Sequence, residues 1–239
     1  LKKINDYIEK YKEVKDYNYA VNIVNYPFIV SSNGDTKEKY DITNPDDLLT
    51  LVKKGFYLND YEPKDLVELD SEYVAPTCDH PQLRKVAAEA LVKMIKDAKK
   101  EGMYLLLNSG YRSYEEQEKI YQETEQKYGG AYAAEYVATP GASEHQTGLG
   151  IDMTSQSVVD KQRLVFGDTT EYKWVVENCA KYGFIVRFTE GTDGITGISH
   201  EPWHLRYVGK KVAKEIKDQN WTLEEYCLYK NVIPKFKKD

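Results

Sequence analysis

Apolar side chains recur at helical spacing through Leu83, Val86, Ala87, Ala90, Leu91, Met94, Ile95 and Ala98, a single stripe that ends at Gly102. Such a stripe predicts a helix buried along one face and stopped by the glycine. Asp79, with Gln82 three residues on, has the form of a capping box, and Pro81 is tolerated in a first turn. The helix is therefore predicted to start after Asp79 and to carry His80 at its beginning. Met103–Ser109 (MYLLLNS) is a short apolar run suited to a buried strand. The turn GYR follows, and Ser113 with Glu116 forms a second capping box that opens a helix over SYEEQEKIYQETEQKYG. Arg112 is thereby placed at a strand-to-helix junction. Downstream, a helix is predicted over Glu171–Tyr182 with Gly183 as its stop, then the strand FIVRF and a strand HLRYV after Trp203. Helices at Gly209–Asp218 and Leu223–Tyr229 close the chain.

The N-terminal part is patterned differently. Leu1–Tyr26 is charged and tyrosine-rich, with Ile4, Tyr7, Ile8 and Tyr11 at helical spacing, which predicts a peripheral helix. Ser31–Asp47 carries turn formers and few apolar residues and reads as a surface connection. From Leu48 to Asp70 apolar runs are broken by Gly55 and Pro63, as expected of a strand and extended segments wrapping the main body. Short strands interleaved irregularly with helices indicate an α+β fold: a small antiparallel sheet with flanking helices, plus an N-terminal helical extension. The expected division is an extension or stalk over 1–47 and a main domain over 48–239.

Composition narrows the possibilities. A chain of 239 residues, 41% hydrophobic and 30% charged, is sized and balanced for one sizeable core. Lys+Arg 33 against Asp+Glu 39 leaves a net charge of −6, which speaks against nucleic acid as a partner. No apolar run is long enough to span a membrane, so no transmembrane segment is expected in this chain. It begins at Leu1 rather than Met, which leaves room for a removed signal peptide or anchor. Cys78, Cys179 and Cys227 fit neither a zinc-ribbon spacing nor a disulfide scaffold. The 21 tyrosines read first as half-buried packing with a polar tip and second as a groove for a polymeric ligand. A monomer is expected.

Candidate chemistry sits on the sparse histidines, four in all. In GASEHQTGLGID (Gly141–Asp152), His145 precedes Asp152 by seven residues, and HEPWHLRYVG supplies His204 with Glu201 three residues before it. Imidazole and carboxylate are both good Zn²⁺ ligands, catalytic zinc sites commonly use three protein ligands, and a nearby glutamate can move the proton of an attacking water. His145, Asp152, His204 and Glu201 thus make a complete set for metal-assisted hydrolysis. Each also has an ordinary alternative: a packed histidine, a capping aspartate, a solvated glutamate. His200, beside Glu201, is a further candidate for a fourth ligand or an acid. Spacing leaves these open.

Ser143-x-His145-x-x-Gly148-x-x-x-Asp152, followed by Glu201-Pro202-Trp203-His204, resembles the VanY-type D-alanyl-D-alanine carboxypeptidases, part of the wider zinc peptidase group of lysostaphin, D-Ala-D-Ala peptidases and hedgehog-like domains. SGYRSYEEQ at Ser109–Gln117 is a third matching block in the family's order, and the resemblance runs from about Leu48 to Tyr229. It implies one zinc per chain held by His145, Asp152 and His204, with Glu201 as the general base. Arg112 would face the substrate, stabilising an oxyanion or holding a carboxylate, and Gln117 and Ser143 would touch the substrate peptide. Two departures stand out: Gly150 replaces the usual alanine, and His200 replaces the usual aromatic.

The implied activity is removal of the terminal D-alanine from peptidoglycan stem peptides, by D,D-cleavage of a pentapeptide or L,D-cleavage of a tetrapeptide. An endopeptidase or D-Ala-D-Ala dipeptidase on the same fold is the nearest alternative. A non-catalytic, zinc-stabilised cell-wall binding module is an alternative of another class. Glu201 and Arg112 weigh against the module, because a structural zinc site fills all four positions with protein ligands. Such a substrate implies an extracellular or cell-envelope location in a bacterium, either free or membrane-tethered through a removed N-terminal segment.

Overall fold

The computed structural model describes residues 2–32 and 38–238. Leu1, part of the expected surface connection (33–37), and Asp239 lie outside the described residues. Among the described residues the strands are β1 (Tyr40–Ile42), β2 (Phe56–Tyr57), β3 (Leu66–Glu68), β4 (Gln82–Arg84), β5 (Leu105–Ser109), β6 (Gly150–Ser155), β7 (Phe184–Phe188), β8 (Glu201–Tyr207) and β9 (Phe236–Lys238). The α-helices are α1 (Lys2–Val14), α2 (Tyr17–Asn25), α3 (Lys85–Lys100), α4 (Tyr114–Tyr128), α5 (Gly130–Tyr136), α6 (Gln156–Val159), α7 (Thr170–Asn178), α8 (Asp193–Thr196), α9 (Lys210–Gln219) and α10 (Leu223–Tyr229). The α+β expectation holds.

A four-stranded antiparallel sheet of order β5-β6-β8-β7 forms the centre. Strand periodicity sends alternate residues to opposite faces. Phe184 of β7 joins Leu107, Ile151, Met153 and Leu205 in a core closed by α3 and α7. Ile185, its neighbour, enters a second cluster with Ile29, Leu51, Phe56, Ile216 and Leu228. From α3, Leu91, Met94 and Ile95 are buried in the first core, each worth about 1.5–3 kcal/mol against exposure.

The start of α3 departs from expectation. Gln82–Arg84 pairs antiparallel with β3, Arg84 N–H donates to the Gly148 carbonyl (3.0 Å) and Lys85 N–H to that of Asp65 (2.9 Å). Pairing with β3 holds Gln82–Arg84 in extended conformation, so the Asp79–Gln82 box does not form and the helix begins at Lys85. His80 accordingly lies in an extended segment, its Nδ1 3.6 Å from Glu116. The Ser113–Glu116 box does form and opens α4. Gly183, at φ +95°, ends the turn after α7. The single N-terminal helix is instead two, broken at Lys15 with φ 58°.

Residues of the N-terminal part pack onto the C-terminal helix. Tyr19 stacks on Tyr229 at 4.2 Å, and Asn22 Nδ2 donates to the Leu228 carbonyl at 2.8 Å. β1 pairs in parallel with β2 and antiparallel with β9, tying the C-terminal strand to the segment that follows the N-terminal helices. All three cysteines are free thiols, and burial pushes those of Cys179 and Cys227 up to about 12. No helix among the described residues is long and apolar enough to cross a membrane.

Candidate metal centre and active-site groove

Two adjacent strands and one tight turn build the centre. Asp152 of β6 is directly opposite His204 of β8, and opposite Ser109 of β5 on its other side. His145 comes from the turn Glu144–Thr147, which Gly148 closes in the left-handed conformation at φ +66°, a region glycine enters freely. His204 Nδ1 lies 2.9 Å from Asp152 Oδ1, and His145 Nε2 lies 3.3 Å from Asp152 Oδ2. One ligand atom from each residue falls within 4.8 Å of the others. The outer nitrogens are also engaged: His145 Nδ1 with the Gly110 carbonyl at 2.8 Å, His204 Nε2 with Glu144 Oε2 at 3.1 Å. A carbonyl can only accept, so His145 carries its hydrogen on Nδ1 and turns an Nε2 lone pair inward.

This donor set fits zinc: two imidazole nitrogens and a carboxylate converge, with outer-shell acceptors behind the rings. Burial alone would raise the Asp152 pKa, but the charges and hydrogen bonds of His145 and His204 hold it well below the carboxylate range. Burial would lower that of His204, yet its bonds to Asp152 and Glu144 lift it to about 9. A site that so favours positive charge is one a divalent cation can occupy.

The remaining residues line a groove of about 880 Å³ over the trio, among them Arg112, Gln117, Ser143 and Glu201. Arg112 leaves β5 through Gly110, whose missing Cβ matters: one built there would stand 2.4 Å from the Gln82 carbonyl oxygen and 2.7 Å from that of His80. Arg112 N–H donates to the His145 carbonyl (3.3 Å), and its guanidinium donates to Gln117 Oε1 (2.9 Å) and Ser109 Oγ (3.4 Å). Gln117 is buried and its amide donates in turn to the Ala138 carbonyl at 2.7 Å, so both its polar ends are committed. Glu201, half-buried, has its pKa raised by burial. It pairs with Phe188 across a register shift between β7 and β8. Regular alternation would turn Glu201 and His204 to opposite faces; both nonetheless line the groove beside this irregularity.

The sequence model of the VanY family, described as D-alanyl-D-alanine carboxypeptidase, matches residues 80–210. The chain belongs to this family. It is 48% identical over 187 residues to the carboxypeptidase YodJ of Bacillus subtilis (strain 168), covering 77% of this chain and 68% of that protein. Among solved structures, the LdcB LD-carboxypeptidase superposes with a TM-score of 0.73 at 45% identity, covering 80% of this chain and 91% of that one. The D,D-pentapeptidase VanY of a VanB-type vancomycin resistance cassette, solved with Zn(II), gives a TM-score of 0.62 at 32% identity, covering 74% and 97%.

In this VanY-family chain the seven residues singled out in the sequence all border one groove. His200 lines it too, exposed, but is outside the ligand trio. Sequence reasoning missed a buried charged cluster behind the metal centre. Glu144 Oε1 accepts from Arg187 Nε and an Arg206 guanidinium nitrogen, both at 2.8 Å. Arg187 is bidentate to Glu224 of α10 at 2.9 and 2.7 Å. Lys53 Nζ stands 3.9 Å from Glu224, and burial lowers its pKa to about 8. The available signal was an arginine inside each of the apolar strands FIVRF and HLRYV, since a cation buried in a sheet demands an acid.

Proposed function

We propose that the protein is a zinc carboxypeptidase that removes the terminal D-alanine from peptidoglycan stem peptides, with His145, Asp152 and His204 holding one ion. The observation that carries this reading is their convergence within 4.8 Å beneath a groove that Glu201 and Arg112 also line. Zinc would supply Lewis acidity, polarising the scissile carbonyl and acidifying a water. Glu201 takes the proton of the attacking water and returns it to the leaving amine; burial raises its pKa, which makes its carboxylate a better proton acceptor. Arg112 offsets negative charge on the substrate, its planar fork matching either a developing oxyanion or the peptide's free carboxylate. Gln117, committed at both ends, supports Arg112 from behind, and Ser143 borders the peptide.

The likeness to LdcB exceeds that to the D,D-pentapeptidase, which favours L,D-cleavage of the tetrapeptide stem. Residues 48–239 are read as the peptidase domain and 1–47 as an extension docked on α10, in a monomer acting outside the cytoplasmic membrane, at the bacterial cell envelope. Mass spectrometry after incubation with tetrapeptide and pentapeptide stems tests the reading. Loss of a single alanine from the tetrapeptide is expected. Release of D-Ala-D-Ala would favour a dipeptidase, and release of alanine from neither stem by the zinc-loaded protein would overturn the carboxypeptidase assignment.

A further inference from the structure

We infer that Glu144 is a positioning residue for His204: a carboxylate clamped by Arg187 and Arg206 that accepts from Nε2 and thereby turns Nδ1 toward the metal. The inference rests on the metal centre proposed above and adds a residue and a protonation pattern to it.

Geometry separates this role from that of a plain ion pair. Glu144 is buried, and its Oε1 alone takes both arginine contacts, leaving Oε2 for His204 Nε2 at 3.1 Å. Neither arginine depends on Glu144 for its place. Arg187 is held by its fork on Glu224, and Arg206 donates to the Leu48 and Thr50 carbonyls at 3.0 and 2.7 Å. The clamp is thus anchored from β7, β8 and α10 together. A carboxylate facing two guanidinium groups is an acceptor without a hydrogen to give, so the imidazole must donate through Nε2. In the neutral ring the lone pair then sits on Nδ1, the atom 2.9 Å from Asp152 Oδ1.

Chain order makes the device economical in space. One turn supplies the ligand His145 and, one residue earlier, the group that orients the other histidine. Gly150 lets β6 lie against that turn: a Cβ there would come within 2.9 Å of Glu144 backbone and Cβ atoms. His145 and His204 consequently present opposite nitrogens, Nε2 and Nδ1, to the same point.

Long-range ¹⁵N–¹H correlation of the zinc-loaded wild-type protein reads the pattern directly. Hydrogen on His204 Nε2 with the ion on Nδ1, and the reverse at His145, is expected. In Glu144→Gln, zinc affinity by chelator competition is expected to fall about 10–100-fold, with an altered visible spectrum of the cobalt(II)-substituted protein and an unchanged far-ultraviolet dichroism. A His204 bound to metal through Nε2 would overturn the inference, as would a folded Glu144→Gln with parental zinc affinity and cobalt spectrum. Should that variant fail to fold, the wild-type spectrum decides. Stem-peptide hydrolysis by a protein with the wrong tautomer sinks the clamp alone. The expected tautomers without hydrolysis of either stem sink the peptidase reading alone, and failure to take up zinc sinks both.

Discussion

Asp152 and His204 face each other in register across β6 and β8, with Oδ1 and Nδ1 2.9 Å apart. Two of the three proposed ligand side chains are therefore fixed by backbone pairing at the centre of the sheet rather than by loops. Replacing either, as in Asp152→Asn or His204→Ala, is expected to weaken zinc retention by more than the roughly 10–100-fold attached to an outer-shell partner. Metal analysis after gel filtration, set beside a dichroism spectrum, checks this.

Glu201 is not one of the three converging candidate ligands, so its proposed role in proton transfer can be tested separately from metal binding. Glu201→Ala is expected to keep zinc at the parental stoichiometry while kcat falls about 10²–10⁴-fold. Retained turnover in a zinc-replete variant would remove Glu201 from the role of base.

Arg112 lines the groove and is held there by Gln117 and Ser109, each accepting from one terminal guanidinium nitrogen. Arg112→Lys keeps the charge and loses the bidentate geometry. A fall of roughly 10²–10³-fold in kcat/KM is expected, in line with loss of one transition-state donor. Gln117→Leu is expected to act in the same direction with a smaller effect, measured on the same stem peptide.

Stability of the metal-free protein carries a pH signature. The folded pKa of His204, about 9, exceeds the ordinary 6.5, so the folded state binds the extra proton and its stabilisation is full below pH 6.5 and lost as pH rises toward 9. Lys53 acts oppositely: its pKa, lowered to about 8 from 10.5, makes stability rise with pH above 8. Between pH 6.5 and 8 the melting temperature of chelator-treated protein is expected to fall, and the gain on adding zinc to grow, as the ion replaces the proton. Calorimetry at a series of pH values, with and without zinc, measures both; a zinc-induced gain that shrinks over this window would contradict the assignment of His204 as a ligand.

Much of this architecture was legible from local pattern. The Ser113–Glu116 box, the apolar run of β5 and the stripe of α3 are signals confined to a few neighbouring residues, and each formed where its chemistry required. The Asp79–Gln82 box carried the same signal and failed, because β3 lies alongside Gln82–Arg84 and pairs with it. No local pattern announces partners 14 to 18 residues away. The same reason hid Glu144: the partners that neutralise its buried charge are arginines 43 and 62 residues downstream. The three candidate ligands could be singled out because their residue types are rare and their order resembles a family's, and the fold brings them together.

Gly110 offers a test of how tightly the Arg112 turn is packed. A methyl group there would meet two carbonyl oxygens at 2.4 and 2.7 Å. Gly110→Ala is expected to destabilise by about 1–3 kcal/mol through overpacking and to lower kcat/KM by displacing Arg112, with denaturant melts and stem-peptide kinetics as the two readouts.

Restoring zinc stepwise to chelator-stripped protein, while following alanine release from the tetrapeptide stem, bears most directly on the proposed activity. Release is expected to be absent without metal, to rise in proportion to added zinc and to level off at one equivalent per chain. Alanine release that persists without metal, or a chain carrying its full equivalent of zinc that leaves both stems intact, would contradict it.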